Sequence, residues 1–452
     1  METLNHNYLY LREDIHPPVR QPCQTDQDYR STISSWHRDL SPQKQTLYEL
    51  LRGQVCGLLS VTSAEQIKPI IENPDLRRQA SDRVLNQLGQ VYGIRGLERI
   101  RQKFEDYGKH ADSVIDHLQN TLSYPGCVNL EMVNEVRAYD DPTDLLLLSL
   151  DGRWSEKAIF EAKRKLLLQT LAASIDRRQR EIGIEGQFKR FVNWLHERVW
   201  SPNLLLGQSN GSFLISTHDP QTWACTATRL VTEEEGVKHE LDPFQKKTHL
   251  PQRRFMVEKG LEIPLYVTIR DKSMEAKILK MLRKGVEDPA IAVDDDTGLL
   301  VVVNDVNDAR KFIGHLIHTG YKSNYPVIIE DVSYTLDGEK YNGKHASSPK
   351  LRMMKFFIRL ANEMRVECII HTLSSFAEHL YRRGVSHGEY EFNRLFGSEI
   401  NVPKVLFSER YFPNFDADQA KRKGLEQIRE DIEGTDSHLT YFLSSLRCET
   451  PS

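Results

Sequence analysis

The sequence predicts an α+β protein, an N-terminal all-helical domain followed by a mixed-sheet α/β domain, on three observations. Apolar residues recur at helical spacing within residues 41–122 and again within 154–199. Beyond residue 205 the texture changes to strand-like alternation, beginning at Ser212-Phe213-Leu214-Ile215-Ser216. From residue 255 to 383 short apolar strands alternate with amphipathic helices, the pattern of a layered α/β domain.

The elements follow in order. Residues 1–35, with Pro17-Pro18 and Pro22 among polar neighbours, read as an irregular arm. Residues 36–205 form the helical domain. Leu47, Leu50, Leu51, Val55, Leu58 and Leu59 make one stripe, and further helices span 74–92 and 96–120 until Pro125-Gly126 interrupts. Ser155 can cap a long run of good helix formers. Residues 206–415 hold the α/β domain. Its strands lie at 212–216, 223–231, 255–257, 263–269, 299–303, 327–332, 355–358 and 366–370, and its helices at 274–284, 306–318 and 373–383. Residues 416–452 form a charged helix and a frayed tail.

Composition narrows the class. At 452 residues the chain suggests about two or three domains. Apolar residues are 39% and charged residues 27%, an ordinary globular balance. Net charge is -4, so no global basic field draws the chain to nucleic acid. The longest apolar runs, at 145–148 and 299–303, fall far short of the ~20 residues of a membrane helix. The first residues carry no basic, apolar leader, and six cysteines (Cys23, Cys56, Cys127, Cys225, Cys368, Cys448) include no Cys-x-x-Cys pair. A cytoplasmic protein without disulfides is expected.

Three segments carry chemistry. Arg270 and Lys272 share one face at the end of a strand, and the following helix repeats Lys277, Lys280 and Lys284 on one stripe. Such cations beside a helix N-terminus suit a polyphosphate, although a basic stripe also suits a solvated face. Asp294-Asp295-Asp296-Thr297-Gly298 then precedes a buried strand. Its carboxylates suit Mg²⁺, which takes one or two carboxylates plus substrate phosphates, and the same residues suit a plain turn. Third, Glu367, Ile369 and His371 share a strand face, followed by His387, Tyr390 and Arg394. A carboxylate on an otherwise apolar strand marks a metal ligand, a general base or a water-facing edge.

In this order the segments resemble the synthetase domain of the RelA/SpoT alarmone family, over residues 265–395. Arg270, Lys272 and Lys280 match its Arg-x-Lys strand end and helix lysine, with Lys284 continuing the pattern. Asp295 falls on its metal aspartate, and Glu367 to Thr372 is similar to its Glu-x-Gln-x-Arg-Thr strand. His387 and Tyr390 match a later His-x-x-Tyr. The resemblance implies a nucleotidyltransferase-like fold that moves pyrophosphate from ATP to a nucleotide or RNA hydroxyl. It implies that Arg270, Lys272, Lys280 and Lys284 bind ATP and that Asp295 and Glu367 hold Mg²⁺. Glu367, His371 and His387 become the candidate catalytic groups. Four positions depart from the family. Ala276 replaces its serine, Leu300 its arginine and Ile369 its glutamine, and Asn342-Gly343-Lys344 lacks the tyrosine that stacks on the acceptor base. These departures admit two outcomes, a different acceptor or a catalytically inactive module that binds a nucleotide or a protein.

Two further patterns carry less. Asp144 followed by Glu161 and Lys163 imitates a Mg²⁺-dependent nuclease site, which requires the Glu-x-Lys at a strand end. His218-Asp219 lacks the partner spacing of a phosphohydrolase and reads as a turn. The helical domain is the expected surface for a protein partner or a second copy, and no membrane partner is expected.

Overall fold

Helix caps set most of the first half of the computed structural model. The structure describes residues 24–123, 134–200, 212–258, 260–285, 288–325, 327–338, 350–359, 364–397 and 400–434, with Leu11, Ile15 and Pro18. Among the described residues eight α-helices open the chain: α1 (Asp26–Asp39), α2 (Pro42–Leu59), α3 (Ile67–Glu72), α4 (Pro74–Tyr92), α5 (Leu97–Leu122), α6 (Pro142–Leu150), α7 (Glu156–Ile182) and α8 (Ile184–Trp194). Helices α2, α4 and α6 each start with proline behind Ser41, Asn73 or Asp141, whose side-chain oxygens accept first-turn N–H groups. Gly93 and Gly183 stop α4 and α7 in the left-handed region, where a side chain would be strained. The expected irregular arm is helical from Asp26, because Thr25 accepts from the Asp28 N–H and caps α1.

The mixed part follows in chain order. It contains β1 (Ser212–His218), β2 (Cys225–Thr232), α9 (Glu233–Lys238), β3 (Gln245–His249), β4 (Gln252–Glu258), β5 (Leu261–Asp271), α10 (Met274–Lys284), α11 (Ala290–Val293) and β6 (Thr297–Val303). Then come α12 (Val306–Lys322), β7 (Ile328–Tyr334), β8 (Met354–Arg359), β9 (Arg365–Thr372), α13 (Leu373–Tyr381), α14 (His387–Leu395), α15 (Val402–Leu406) and α16 (Ala417–Glu433). The fold is thus α+β, an N-terminal helical region followed by mixed sheets.

The chain divides into two compact units, each built from three segments. The first comprises Met1–Arg178, Ile278–Pro289 and Ser398–Ala420, and the second Gln179–Lys277, Ala290–Gly397 and Lys421–Ser452. The division expected near residue 205 therefore falls inside α7, and the first unit recruits later segments. Its core joins Leu47, Leu51 and Leu59 of α2 to Ala80 and Val84 of α4 and Leu146 and Leu147 of α6. The same unit holds a buried charge cluster. Lys165 is 2.8 Å from Asp112 and 2.9 Å from Asp140.

In the second unit β2-β1-β3 form a small antiparallel sheet, and β4-β5-β6-β9-β8-β7 a mixed one. In the larger sheet β6 and β9 run parallel, and the remaining neighbours are antiparallel. One face is apolar: Val267, Leu299, Val301, Cys368, Ile370 and Phe356 pack in one cluster with Ala309, Phe312 and Leu316 of α12. Alternation sends the intervening residues, among them Arg270, Gly298, Glu367 and Lys355, to the opposite face. Among the described residues no helix is long and apolar enough to cross a membrane.

Candidate functional site

Register assembles the site. Arg270 on β5 lies opposite Gly298 on β6, and Gly298 lies opposite Glu367 on β9, so the three form one row. Gly298 has no side chain, and the Arg270 side chain crosses above it. A Cβ on Gly298 would sit 2.9 Å from Arg270 Nε. The guanidinium thereby reaches Glu367, donating from Nη2 to Oε2 over 3.4 Å.

The next row holds Leu300, Ile369 and Lys355. Leu300 and Ile369, which stand where the resemblance expects arginine and glutamine, are neighbours in register. The charge of that row comes from β8 instead. Lys355 Nζ donates to Glu367 Oε1 at 2.5 Å. Burial pushes the Glu367 carboxyl up, and Asp295 adds to that push, but Lys355, Lys272 and Arg270 outweigh both and hold it below its usual range.

The acidic turn sorts its three aspartates by depth. Asp294 is exposed. Asp295 pairs with Lys272 at 2.8 Å. Asp296 is buried, 2.6 Å from Lys277 Nζ, and accepts from Gln179 Nε2 at 2.7 Å. Its carbonyl also accepts the Lys272 N–H at 2.9 Å, which ties the turn to the end of β5. Burial pushes the Asp296 carboxyl up, against the pull of Lys277. A cavity of about 10 Å³ beside the turn, lined in part by Asp296, Thr297 and Arg365, has room for one water and none for a nucleotide.

The structure therefore brings together Arg270, Lys272, Asp295 and Glu367 from three separate stretches of sequence. Asp295 and Glu367 lie close enough for each charge to bear on the other. Lys280, half-buried, and Lys284, exposed, belong to the first unit. The clamp read from the sequence thus reduces, within the second unit, to Arg270 and Lys272. Lys355 joins them, and nothing in the sequence pattern singles it out. Its strand position is legible, but its reach to Glu367 depends on the order of β8 beside β9.

The two candidate histidines sit in different settings. His371 has no exposed surface, its Nδ1 faces the Arg352 carbonyl at 3.1 Å, and its ring packs on Phe376 and His379. Burial pushes its pKa down to about 4. A neutral, enclosed imidazole of such low basicity is a weak proton acceptor at neutral pH. His387 is the first residue of α14, behind the cap Ser386, with its ring 4.9 Å from His379 and 6.3 Å from Tyr390. Arg394 lies over the Tyr390 ring at 4.8 Å and feels the charge of Asp295. The half-buried edge His387–Tyr390–Arg394 is thus the part of this segment that borders the ion cluster. Residues 341–344 lie outside the described residues.

Mg²⁺ is implied by the resemblance, and the donors test it. Among the described residues no three His, Cys, Asp or Glu side chains are placed to hold a metal by themselves. Two carboxylates plus phosphate oxygens still suit Mg²⁺. Asp295 and Glu367 are the residues that would share such a metal with a polyphosphate.

The nuclease pattern does not assemble. Glu161 and Lys163 lie inside α7 and not at a strand end. Glu161 is 3.7 Å from buried Arg164 and accepts the Glu135 N–H at 2.8 Å, and Asp144 faces Arg77 at 4.0 Å. His218 bridges Ser216 and the Trp223 carbonyl, holding the turn after β1. Compared with known families and curated proteins, the chain matches none.

Proposed function

We propose that the second unit is a divergent RelA/SpoT-like pyrophosphotransferase, which moves the pyrophosphate of ATP to a nucleotide or RNA hydroxyl. The observation that carries the reading is one ion cluster, at a sheet face and the adjoining strand ends, in which Arg270 and Lys355 pair with Glu367 and Lys272 pairs with Asp295. Phosphoryl-type transfer is mostly positioning and charge stabilisation, which is what fixed cations and paired carboxylates offer. Arg270, Lys272 and Lys355 bind the ATP phosphates, and the Arg270 fork suits two phosphate oxygens. Asp295 and Glu367 would hold Mg²⁺, which when bound would supply charge neutralisation to the group in transfer. The acceptor oxygen bonds to the β-phosphorus, the bond from that phosphorus to the α–β bridging oxygen breaks, and AMP leaves. Glu367 takes the acceptor proton. The half-buried edge at His387, Tyr390 and Arg394 supplies ring and guanidinium planes of the kind on which a base stacks.

A second reading, an inactive nucleotide- or protein-binding module, is favoured by one observation: both carboxylates already carry cations. The two separate in one assay. ATP labelled in the β-phosphate is incubated with Mg²⁺ and a panel of nucleotides and RNA. The enzyme reading expects AMP with a labelled product, and at least a hundredfold loss in Asp295→Ala. ATP binding without turnover for any acceptor supports the module and overturns the enzyme.

A further inference from the structure

We infer that Gln179, near the end of α7, is a positioning residue for the transfer site, holding Lys272 and Asp295 in place through Asp296. The inference rests on the phosphate-transfer reading and deepens it by naming a residue outside 265–395 on which the geometry of the site depends.

Lys272 and Asp295 lie just beyond the sheet. The ladder between β5 and β6 ends where Asp271 faces Thr297. Lys272 follows Asp271 on one side, and Asp295 stands two residues before Thr297 on the other. Past that last pair the Lys272 N–H donates to the Asp296 carbonyl at 2.9 Å, and the Asp296 N–H closes the turn on the Val293 carbonyl at 3.1 Å. Asp296 is therefore joined to Asp295 by the chain and to Lys272 by a hydrogen bond. A shift of Asp296 moves both.

The Asp296 side chain is held at both oxygens. Oδ1 lies 2.6 Å from Lys277 Nζ on α10, and Oδ2 accepts from Gln179 Nε2 at 2.7 Å. Partners on two different oxygens fix the rotation of a carboxylate that one partner would leave free to turn. Gln179 is fixed in its turn. Gly183, with φ of +68°, stops the helix, and its N–H donates to the Gln179 carbonyl at 2.9 Å. On either side of Gly183, Ile182 and Ile184 line the small cavity together with Asp296 and Thr297, so the end of α7 packs over the acidic turn. The two partners of Asp296 differ in kind. Lys277 is buried and also lies 3.6 Å from Asp271, so it belongs to the framework of the fold. Gln179 is neutral, and its loss leaves the Lys277–Asp296 pair in place. The amide therefore governs orientation rather than charge. Partners that orient the groups touching a ligand or metal matter nearly as much as those groups, and losing one costs about 10–100-fold.

The test uses the full chain, Mn²⁺ and a non-hydrolysable ATP analogue with a ribose-attached dye. Binding is followed by fluorescence and folding by thermal unfolding. Gln179→Met keeps the length of the side chain and removes the donor. It should bind the analogue with Mn²⁺ about tenfold more weakly than the wild type, or worse. Thr248→Val removes a different hydrogen bond of the same unit, the 2.8 Å contact with Tyr381, and should leave that affinity unchanged. Gln179→Glu sets a second carboxylate against Asp296 and should weaken binding at least as much as Gln179→Met. Adding Asp296→Asn to Gln179→Glu restores donor and acceptor in reversed order, and affinity should return close to that of the wild type. If Gln179→Met binds as tightly as the wild type, or Thr248→Val loses as much, the positioning role is overturned and the nucleotide reading stands. A reversed pair that unfolds at the wild-type temperature and still binds weakly overturns the role as well. If the wild type itself does not bind the analogue, both fall.

Discussion

His371 shows how one buried imidazole couples this fold to pH. Its Nδ1 lies 3.1 Å from the Arg352 carbonyl and 3.2 Å from Ser375 Oγ, and burial holds its pKa near 4 against an ordinary value of 6.5. Between those values the unfolded chain binds a proton that the folded chain refuses. Stability therefore falls as pH drops through that window and is complete above it. From pH 7 to pH 5 the loss from this group is about 2 kcal/mol as an upper bound. Urea unfolding at both pH values should show it, and His371→Leu should be less stable at pH 7 but lose less on acidification. An unchanged pH dependence in the variant would show that His371 is not the group responsible.

At the scale of elements, the site depends on a missing side chain. Gly298 leaves the space through which Arg270 passes to Glu367, and an added Cβ would meet Arg270 Nε at 2.9 Å. Because the obstructed atom is on a flexible side chain, Gly298→Ala should cost only about 1 kcal/mol of stability. It should still weaken analogue binding in the presence of Mn²⁺ at least fivefold by displacing the guanidinium. Equal affinity in wild type and variant would remove Arg270 from the phosphate site. The same dependence on register separates what the sequence reveals from what it hides. Arg270, Lys272, Asp295 and Glu367 are legible because strand ends and turns carry local signatures. Helix α10 is legible because Ser273 precedes its amphipathic stripe and accepts the Ala276 N–H at 3.3 Å. Lys355 is not, since only the order of the sheet puts β8 beside Glu367. Strand β3 is hidden too, as Gln245-Lys246-Lys247-Thr248-His249 has no apolar alternation. It is held by pairing with β1 and by Lys246, whose ammonium lies over the Trp223 ring at 5.1 Å and donates to the Gly434 carbonyl.

At the scale of the whole molecule, the discontinuous units make a specific claim about folding. Periodicity suggests a cut near residue 205, since helices precede it and strands follow. The first unit nevertheless needs Ser398–Ala420, and Arg164 shows why. Its guanidinium is 2% exposed, donates to the Leu406 carbonyl at 2.8 Å, and lies 5.4 Å from the Phe407 ring and 5.7 Å from the Phe412 ring. Burial lowers its pKa to about 10, the mark of a charge deep in the structure. Remove residues 398–420, and Arg164 and Glu161 keep each other but lose the carbonyl and the aromatic lid, while Phe160 loses its partners Tyr411 and Phe412. Losing a buried hydrogen bond from a charged group costs about 1.5–3 kcal/mol, and the lost aromatic packing adds to it, together a large part of the stability of an ordinary domain. A fragment of residues 1–205 should therefore keep helical circular dichroism yet unfold without a cooperative transition. Restoring residues 398–420 alongside 278–289 through flexible linkers should recover cooperativity. A sharp, reversible transition in the 1–205 fragment alone would mean that the early helices are self-sufficient and that the later segments merely cover them.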